Sequence, residues 1–258
     1  MGRSRFVCLL LLSVSLAPAC GDSGYEPSGG GANGSGGGGS GLAGSGGAPA
    51  PPSCDDPGDL HQGEGTYYAA DGSGNCSFPA TPGDPLVAAM NHTDYAASAV
   101  CGACVTITGE SGAEVTVRIV DQCPECPQGD IDMHPDAFAL LADPALGRIP
   151  ISWRYSPCAV SGPIVYHFKE GSNPFWTAVQ IRNHVVPILS VEAKDAGGAY
   201  VALVRADYNF FIAESGLGEG PYSFRVTNTS GDVLEDAAIP FVDAGDAAGT
   251  AQFEPCPD

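Results

Sequence analysis

Positive charge is what this chain has least of. Its 258 residues carry 10 Lys and Arg against 30 Asp and Glu, a formal net charge of −20. Residues 54–159 contain no lysine; 15 acids face three arginines there, a net of −12. Residues 160–258 hold 13 acids and five bases, a net of −8. Such a surface repels nucleic acid, anionic lipid headgroups and anionic wall polymers such as teichoic acid or pectate. A neutral polymer is the easier partner. The chain also lacks a nucleophile elbow, a phosphate-binding loop and a calcium-loop pattern. His61, His92, His134, His167 and His184 show no metal-ligand spacing, so solvated or structural roles are expected and no cofactor is implied.

Long apolar runs are equally scarce. The basic start Met1-Gly2-Arg3-Ser4-Arg5 leads into an apolar stretch from Phe6 to Leu16, the length of a signal h-region and too short to span a bilayer. Leu16-Ala17-Pro18-Ala19-Cys20 ends in small residues before a cysteine and resembles a bacterial lipoprotein signal. Residues 1–20 are therefore read as a signal peptide with Cys20 as the lipidation site. Cleavage without lipid remains open. Export places the chain at the bacterial cell surface or in the medium, with membrane contact only through that anchor. Residues 21–53 are rich in Gly, Ser and Ala, have nothing to bury and read as a disordered tether spanning roughly 30 Å. The glycosylation sequons beginning at Asn75, Asn91 and Asn228 are discounted because the signal is of bacterial type.

Eight cysteines follow the signal: Cys54, Cys76, Cys101, Cys104, Cys123, Cys126, Cys158 and Cys256. Cys101-x2-Cys104 and Cys123-x2-Cys126 fall within the spacing of a four-cysteine zinc site. An even number in an exported chain favours disulfides over zinc, and the sequence alone leaves their connectivity open.

Between Gly63 and Tyr155 the apolar segments are short: Thr66–Ala69, Leu86–Met90, Val105–Thr108, Glu114–Val120 and Ile149–Tyr155. Gly and Pro punctuate them, and only Asp136–Leu141 reads as helix. A closed barrel would protect the edges of so many short strands. From Ile164 onward, strands at Ile164–Phe168, Trp176–Arg182, Ile188–Ala193, Tyr200–Val204 and Tyr222–Thr227 recur at the spacing of a sandwich. In the second of these, Thr177, Val179 and Ile181 belong to the core, which puts Trp176, Gln180 and Arg182 on the solvated face. An exposed Trp on a sheet face is a binding signal.

The stretch from Val120 to Phe138 concentrates the chemistry. Asp121 and Asp132 flank a short loop that Cys123 and Cys126 can pinch shut. Strict alternation from Val115 places Asp121 at a strand end, on the same side as Ile119. Two carboxylates near a strand end can hold different protonation states, one ionised and one protonated.

This stretch, with Gly65-Thr66-Tyr67-Tyr68, Cys101-Gly102-Ala103-Cys104, Ile151-Ser152-Trp153-Arg154, Lys169-Glu170-Gly171-Ser172-Asn173, Val179 to His184 and Asp207-Tyr208-Asn209, resembles bacterial and fungal expansin-like proteins over roughly residues 61–240. The resemblance implies an all-β chain: a six-stranded double-psi β-barrel over 54–160, then an immunoglobulin-like β-sandwich that binds carbohydrate over 161–258. It implies Cys76–Cys101 and Cys104–Cys158 disulfides and a local Cys123–Cys126 ring, leaving Cys54 and Cys256 to pair. It casts Asp132 as the acid, Asp121 and Thr66 as its companions, and Phe175, Trp176 and Tyr208 as sugar-stacking rings with Lys169 nearby. Related barrel hydrolases carry a base shortly after Thr-x-Tyr. Aligned on Thr66, that position is Ala70, and Asp71, one step beyond, should face the other way. The family's Tyr two residues past the first Asp is Cys123 here. The resemblance thus implies a monomer that binds cellulose or a related neutral polysaccharide and loosens it without hydrolysis. The alternatives are a glycosidase or lytic transglycosylase on the same barrel, and an inert carbohydrate-binding surface protein.

Overall fold

The computed structural model describes residues 60–255, so the signal, the tether and the Cys54–Cys256 pairing lie outside the described residues. The first half is built from β1 (His61–Tyr67), β2 (Val87–Asn91), β3 (Cys104–Gly109), β4 (Glu114–Cys123), β5 (Ile131–Met133) and β6 (Ile149–Ser156), with two short helices, α1 (His92–Tyr95) and α2 (Pro135–Leu141). The strands close into a barrel in the order β1-β5-β2-β4-β3-β6. β1–β5 and β2–β4 run parallel, and the other neighbours are antiparallel. Alternation fills the interior. Ala88, Met90, Ile107, Val117, Ile119, Ile131, Met133 and Trp153 are all within the buried core. Trp153 has no exposed surface, stacks on His61 at 3.9 Å and donates its indole N–H to the Gly129 carbonyl at 2.7 Å. At that crossing the chain needs glycine, since a Cβ on Gly63 would lie 2.3 Å from the Gly129 carbonyl carbon.

α2 begins where the sequence places it. Pro135 occupies its first turn, where a missing N–H costs nothing, and the His134 ring accepts the Asp136 N–H as an N-cap. α1 is capped in the same way by Asn91, whose side chain accepts from the Asp94 N–H.

The second half is a sandwich of β7 (Val165–Phe168), β8 (Thr177–Arg182), β9 (Ile188–Lys194), β10 (Tyr200–Ala202), β11 (Val204–Arg205), β12 (Phe211–Ala213), β13 (Tyr222–Asn228), β14 (Val233–Ile239) and β15 (Asp246–Ala248). One sheet is ordered β10-β9-β13-β14 and the other β11-β12-β8-β7-β15. Their inner faces meet over Tyr166, Phe168, Val179, Phe211 and Phe224, with Tyr166 stacked on Phe224 at 4.9 Å. The fold is all-β, a closed barrel followed by a sandwich.

Two local expectations fail. The reading that put Gln180 on a solvated face is corrected: Gln180 has no exposed surface, because that face of the sheet docks on the barrel. Its Nε2 donates to the Cys76 carbonyl at 2.8 Å, and Asn209 Nδ2 donates to the same oxygen at 3.2 Å. Trp176 lies outside β8, in a tight turn in which Asn173 and Trp176 exchange backbone hydrogen bonds, and is half-buried.

Cys76–Cys101, Cys104–Cys158 and Cys123–Cys126 are disulfides, which takes up the four cysteines of the zinc-like spacing. Cys104–Cys158 spans 54 residues and ends at the segment leading into the sandwich, where the Cys158 N–H donates to the Val185 carbonyl. A cross-link of that span removes denatured-state entropy worth about 4 kcal/mol. The double substitution Cys104→Ser, Cys158→Ser should therefore lower unfolding stability by about that amount. Denaturant titration checks this, and an unchanged midpoint would count against it.

Candidate functional site

The site is assembled by strand register. Thr66 on β1 pairs with Asp132 on β5, Asp132 with Ala89 on β2, and Ala89 with Asp121 on β4. Partners in a ladder point to the same face, so Thr66, Asp132, Ala89 and Asp121 form one row across four adjacent strands. Ala88 and Met90, the neighbours of Ala89, belong to the interior, which places the row on the outside of the barrel. The small Ala89 leaves a floor between the two carboxylates, whose backbones are separated by two strand spacings, about 9–10 Å.

The expectation that Asp121 shares a side with Ile119 is corrected. β2 advances one residue, from Ala88 to Ala89, while β4 advances two, from Ile119 to Asp121. Val120 is the extra residue of a bulge and is buried beside Ile119. The alternation therefore flips, and Asp121 joins the outer row. β4 also continues to Cys123 instead of ending at Asp121.

Thr66 Oγ1 donates to Asp132 Oδ1 at 2.6 Å. Burial is the main force raising the Asp132 pKa, opposed by that hydrogen bond. The charge of Glu125 raises it further, Arg148 lowers it, and Asp121 adds the smallest upward push. Asp121 therefore matters less to Asp132 than the carboxylate pairing suggested. Glu125 reaches this field from within the Cys123–Cys126 ring. Arg148 is held at 2.6 Å from Glu64 and 3.6 Å from Asp130.

Asp121 is fully engaged. Its Oδ1 accepts the Asn75 N–H at 2.6 Å and the Gln122 N–H at 2.8 Å, while its Oδ2 accepts the Tyr68 hydroxyl at 3.3 Å. Burial, and then the Asp121 charge, push the Tyr68 pKa upward, so the phenol stays a donor. Gly74 packs against this carboxylate; a Cβ there would lie 2.2 Å from Asp121 Cγ. Asp71 turns away to cap its own loop, accepting from Ser73 N at 2.9 Å and Ser73 Oγ at 2.5 Å, which lowers its pKa.

On the sandwich, Phe175 is 81 % exposed and Trp176 is half-buried beside it. Tyr208 is half-buried and lies 6.0 Å from the ring of Phe210, over which the Lys169 ammonium sits at 5.9 Å. Tyr208, Phe210 and Lys169 thus form one group, and Phe175 and Trp176 another, in the turn before β8. Sequence reading missed Tyr68, Asn75 and Glu125 as members of the site. Thr66-x-Tyr68 carried a signal for the first. The other two act through loop conformation, which leaves none.

A closed six-stranded barrel with two parallel pairs, an acid row on its outer wall and an attached sandwich define a double-psi barrel protein with a second, sandwich module. A family model described as lytic transglycolase matches residues 86–153. Expansin-YoaJ of Bacillus subtilis is 31 % identical over 192 residues, covering 72 % of this chain and 82 % of that protein. Expansin-like protein 5 of Dictyostelium discoideum is 31 % identical over 180 residues, covering 66 % and 75 %. The crystal structure of the expansin of Clavibacter michiganensis superimposes with a TM-score of 0.71 at 30 % identity, covering 76 % of this chain and 99 % of that one. A mutant of that expansin was solved in complex with cellohexaose and matches equally, at 29 % identity. This chain belongs to the expansin family.

The raised pKa of Asp132 has a consequence for stability. The folded protein binds this proton more tightly than the unfolded chain, so it gains stability as pH falls through the folded pKa toward the ordinary value of 3.8. Above the folded pKa, burial of the ionised carboxylate is a standing cost. Asp132→Asn keeps an acceptor for Thr66 and removes that cost. It should raise the melting temperature at neutral pH, with the gap closing in acid. A gap that widens as pH falls would contradict the assignment.

Proposed function

We propose that this protein binds cellulose or a related neutral wall polysaccharide and loosens it without cutting it. The observation that carries this reading is an acid, Asp132, whose neighbours Asp121 and Asp71 are both committed to other hydrogen bonds. Asp132 sits in the outer row with a raised pKa, and among the described residues its side chain is hydrogen-bonded to Thr66 alone. Asp121 has both oxygens occupied by donors, and Asp71 is turned onto Ser73. An inverting hydrolase needs a second carboxylate free to activate water. In acid, where its carboxyl is protonated, Asp132 can instead donate a hydrogen bond to a glycan oxygen, weakening its bonds to neighbouring chains. The cellohexaose complex of the related bacterial expansin supports a β-glucan as the ligand.

Residues 54–160 form the barrel module in this reading and residues 161–258 the sandwich module, in which Phe175, Trp176 and Tyr208 stack on sugars beside Lys169. Residues 1–20 direct export and residues 21–53 act as a leash from an anchor at Cys20, with the chain monomeric at the cell surface. The scarcity of basic residues favours a neutral polymer.

Asp132→Ala should abolish loosening of cellulose fibres or paper even at saturating protein, and soluble sugar should stay at background in every variant, wild type included. Sugar release by wild type that Asp132→Ala removes would establish a glycosidase. The family model matched by residues 86–153 makes a lytic transglycosylase the second reading, and anhydro-sugars released from peptidoglycan would establish it.

Binding should rest on the rings. Phe175→Ala, Trp176→Ala and Tyr208→Ala should each weaken cellulose binding by about 1 kcal/mol, roughly five- to tenfold. Binding should be nearly insensitive to salt, because stacking on a neutral polymer carries no net charge interaction. Pull-down isotherms at low and high salt check both statements. Strong salt dependence, or full affinity in all three variants, would sink them.

A further inference from the structure

One residue touches both halves of the candidate site. The Asn75 N–H holds Asp121 Oδ1, and its side-chain Nδ2 donates to the Tyr95 hydroxyl at 2.9 Å and to the Asp207 carbonyl at 3.1 Å. Tyr95, only 1 % exposed, donates its own hydroxyl to that same carbonyl at 3.0 Å. Asp207 immediately precedes Tyr208. The two residues form the tip of the β11–β12 hairpin, closed by the Ala206 N–H donating to the Phe210 carbonyl. The barrel therefore grips the hairpin tip by two donors on one oxygen, and the same residue holds the acid row.

The barrel side of this grip is held in an unfavourable conformation. Ala96, Ala97 and Ser98 have φ of +49°, +51° and +71°, three successive residues with a Cβ in the left-handed region. Such a segment persists only where its surroundings over-determine it. Here the sandwich does so: Ser98 Oγ donates to the Ala206 carbonyl at 2.8 Å, and Arg205 Nη1 donates to the Ser98 carbonyl at 3.1 Å. A hollow of about 500 Å³ opens at the junction between His92, Thr93, Tyr95, Gln122 and Asp207. The space beside the gripped tip is not filled by protein.

We infer that Asn75 is a positioning residue for glycan binding: it fixes Tyr208 in register with the barrel row so that one glycan chain engages both. The inference rests on the polysaccharide reading above. Two surfaces held at a matched spacing turn the second contact into an intramolecular one, and only a chain long enough to reach both gains from it. Asn75→Ala keeps the backbone N–H to Asp121 and removes the side-chain donor to the Tyr95 hydroxyl and the Asp207 carbonyl. Tyr95→Phe keeps the buried ring and removes the other donor. The ties from Gln180, Asn209, Ser98 and Arg205 remain, so both variants keep the halves docked while the tip loosens.

The test is calorimetric titration of the mature protein and both variants with cellotriose and cellohexaose, with thermal unfolding alongside. Each variant should lose about fivefold in cellohexaose affinity, with cellotriose affinity and the unfolding temperature close to wild type. Tyr208→Ala should cost clearly less in the Asn75→Ala background than in wild type, since the two share one interaction. Equal losses for both sugars, or no loss for either, would overturn the positioning role while leaving the polysaccharide reading in place. A wild type that binds neither sugar would overturn that reading, and the inference with it.

Discussion

Where β4 passes β2 the ladder skips one residue, and because side chains alternate along a strand, that skipped residue decides which face Asp121 takes. Without the bulge at Val120, Asp121 would follow Ile119 into the apolar interior, where an ionised carboxylate is costly. With it, Asp121 falls into line with Ala89, Asp132 and Thr66 on the outer wall. Its hydrogen bonds follow from that position. Asn75, Gln122 and Tyr68 donate to it, Gly74 leaves room for it, and the loop between β1 and β2 is thereby tied to the barrel wall. The bulge thus builds a site out of strands that would otherwise only form a container.

The loop tied down by Asp121 is the loop the sandwich rests on. Cys76, next to Asn75, is disulfide-bonded to Cys101, and its carbonyl accepts from Gln180 and Asn209 across the junction. His184, with its pKa pulled down to about 4 by burial, stays neutral and donates its Nδ1 proton to the Val186 carbonyl. Its ring sits against Gly102, where a Cβ would come within 2.7 Å of Nε2. Burial lowers Arg205 to about 10, still charged at neutral pH, and its guanidinium bonds the Ser98 and Ile188 carbonyls. Polar groups buried in this way must be satisfied or they destabilise. Their partners lie on both halves, which makes the junction a specific dock between the two modules.

Much of this was legible in the sequence. Period-2 alternation located the start of β4 and placed β8 to within a residue, the apolar segment Ile149–Tyr155 placed β6 to within a residue, and the expectation of an all-β barrel and sandwich holds. Pro135 marked the start of α2. The disulfides Cys76–Cys101, Cys104–Cys158 and Cys123–Cys126 pair as the family resemblance implied. β5 went unread because three residues carry no periodicity, although that strand bears Asp132. The bulge was invisible because Val120 is apolar either way and nothing in its neighbours marks the skip. Gln180 was assigned to solvent because alternation reports sides, while what covers a side is a tertiary fact. Asn75 was seen only as a glycosylation pattern, since its role arises from loop geometry bringing Asp121 and Asp207 to the same residue.

In the proposed function, the row Thr66–Asp132–Asp121 and the ring of Tyr208 form one glycan surface that holds its ligand intact. A crystal structure of the wild-type protein with cellohexaose tests it most directly. The account predicts a single uncut chain, with a hydroxyl or glycosidic oxygen in hydrogen-bond reach of Asp132, continuing past Asp121 over Tyr208. A chain lying on another face, or a break in the sugar at Asp132, would contradict it.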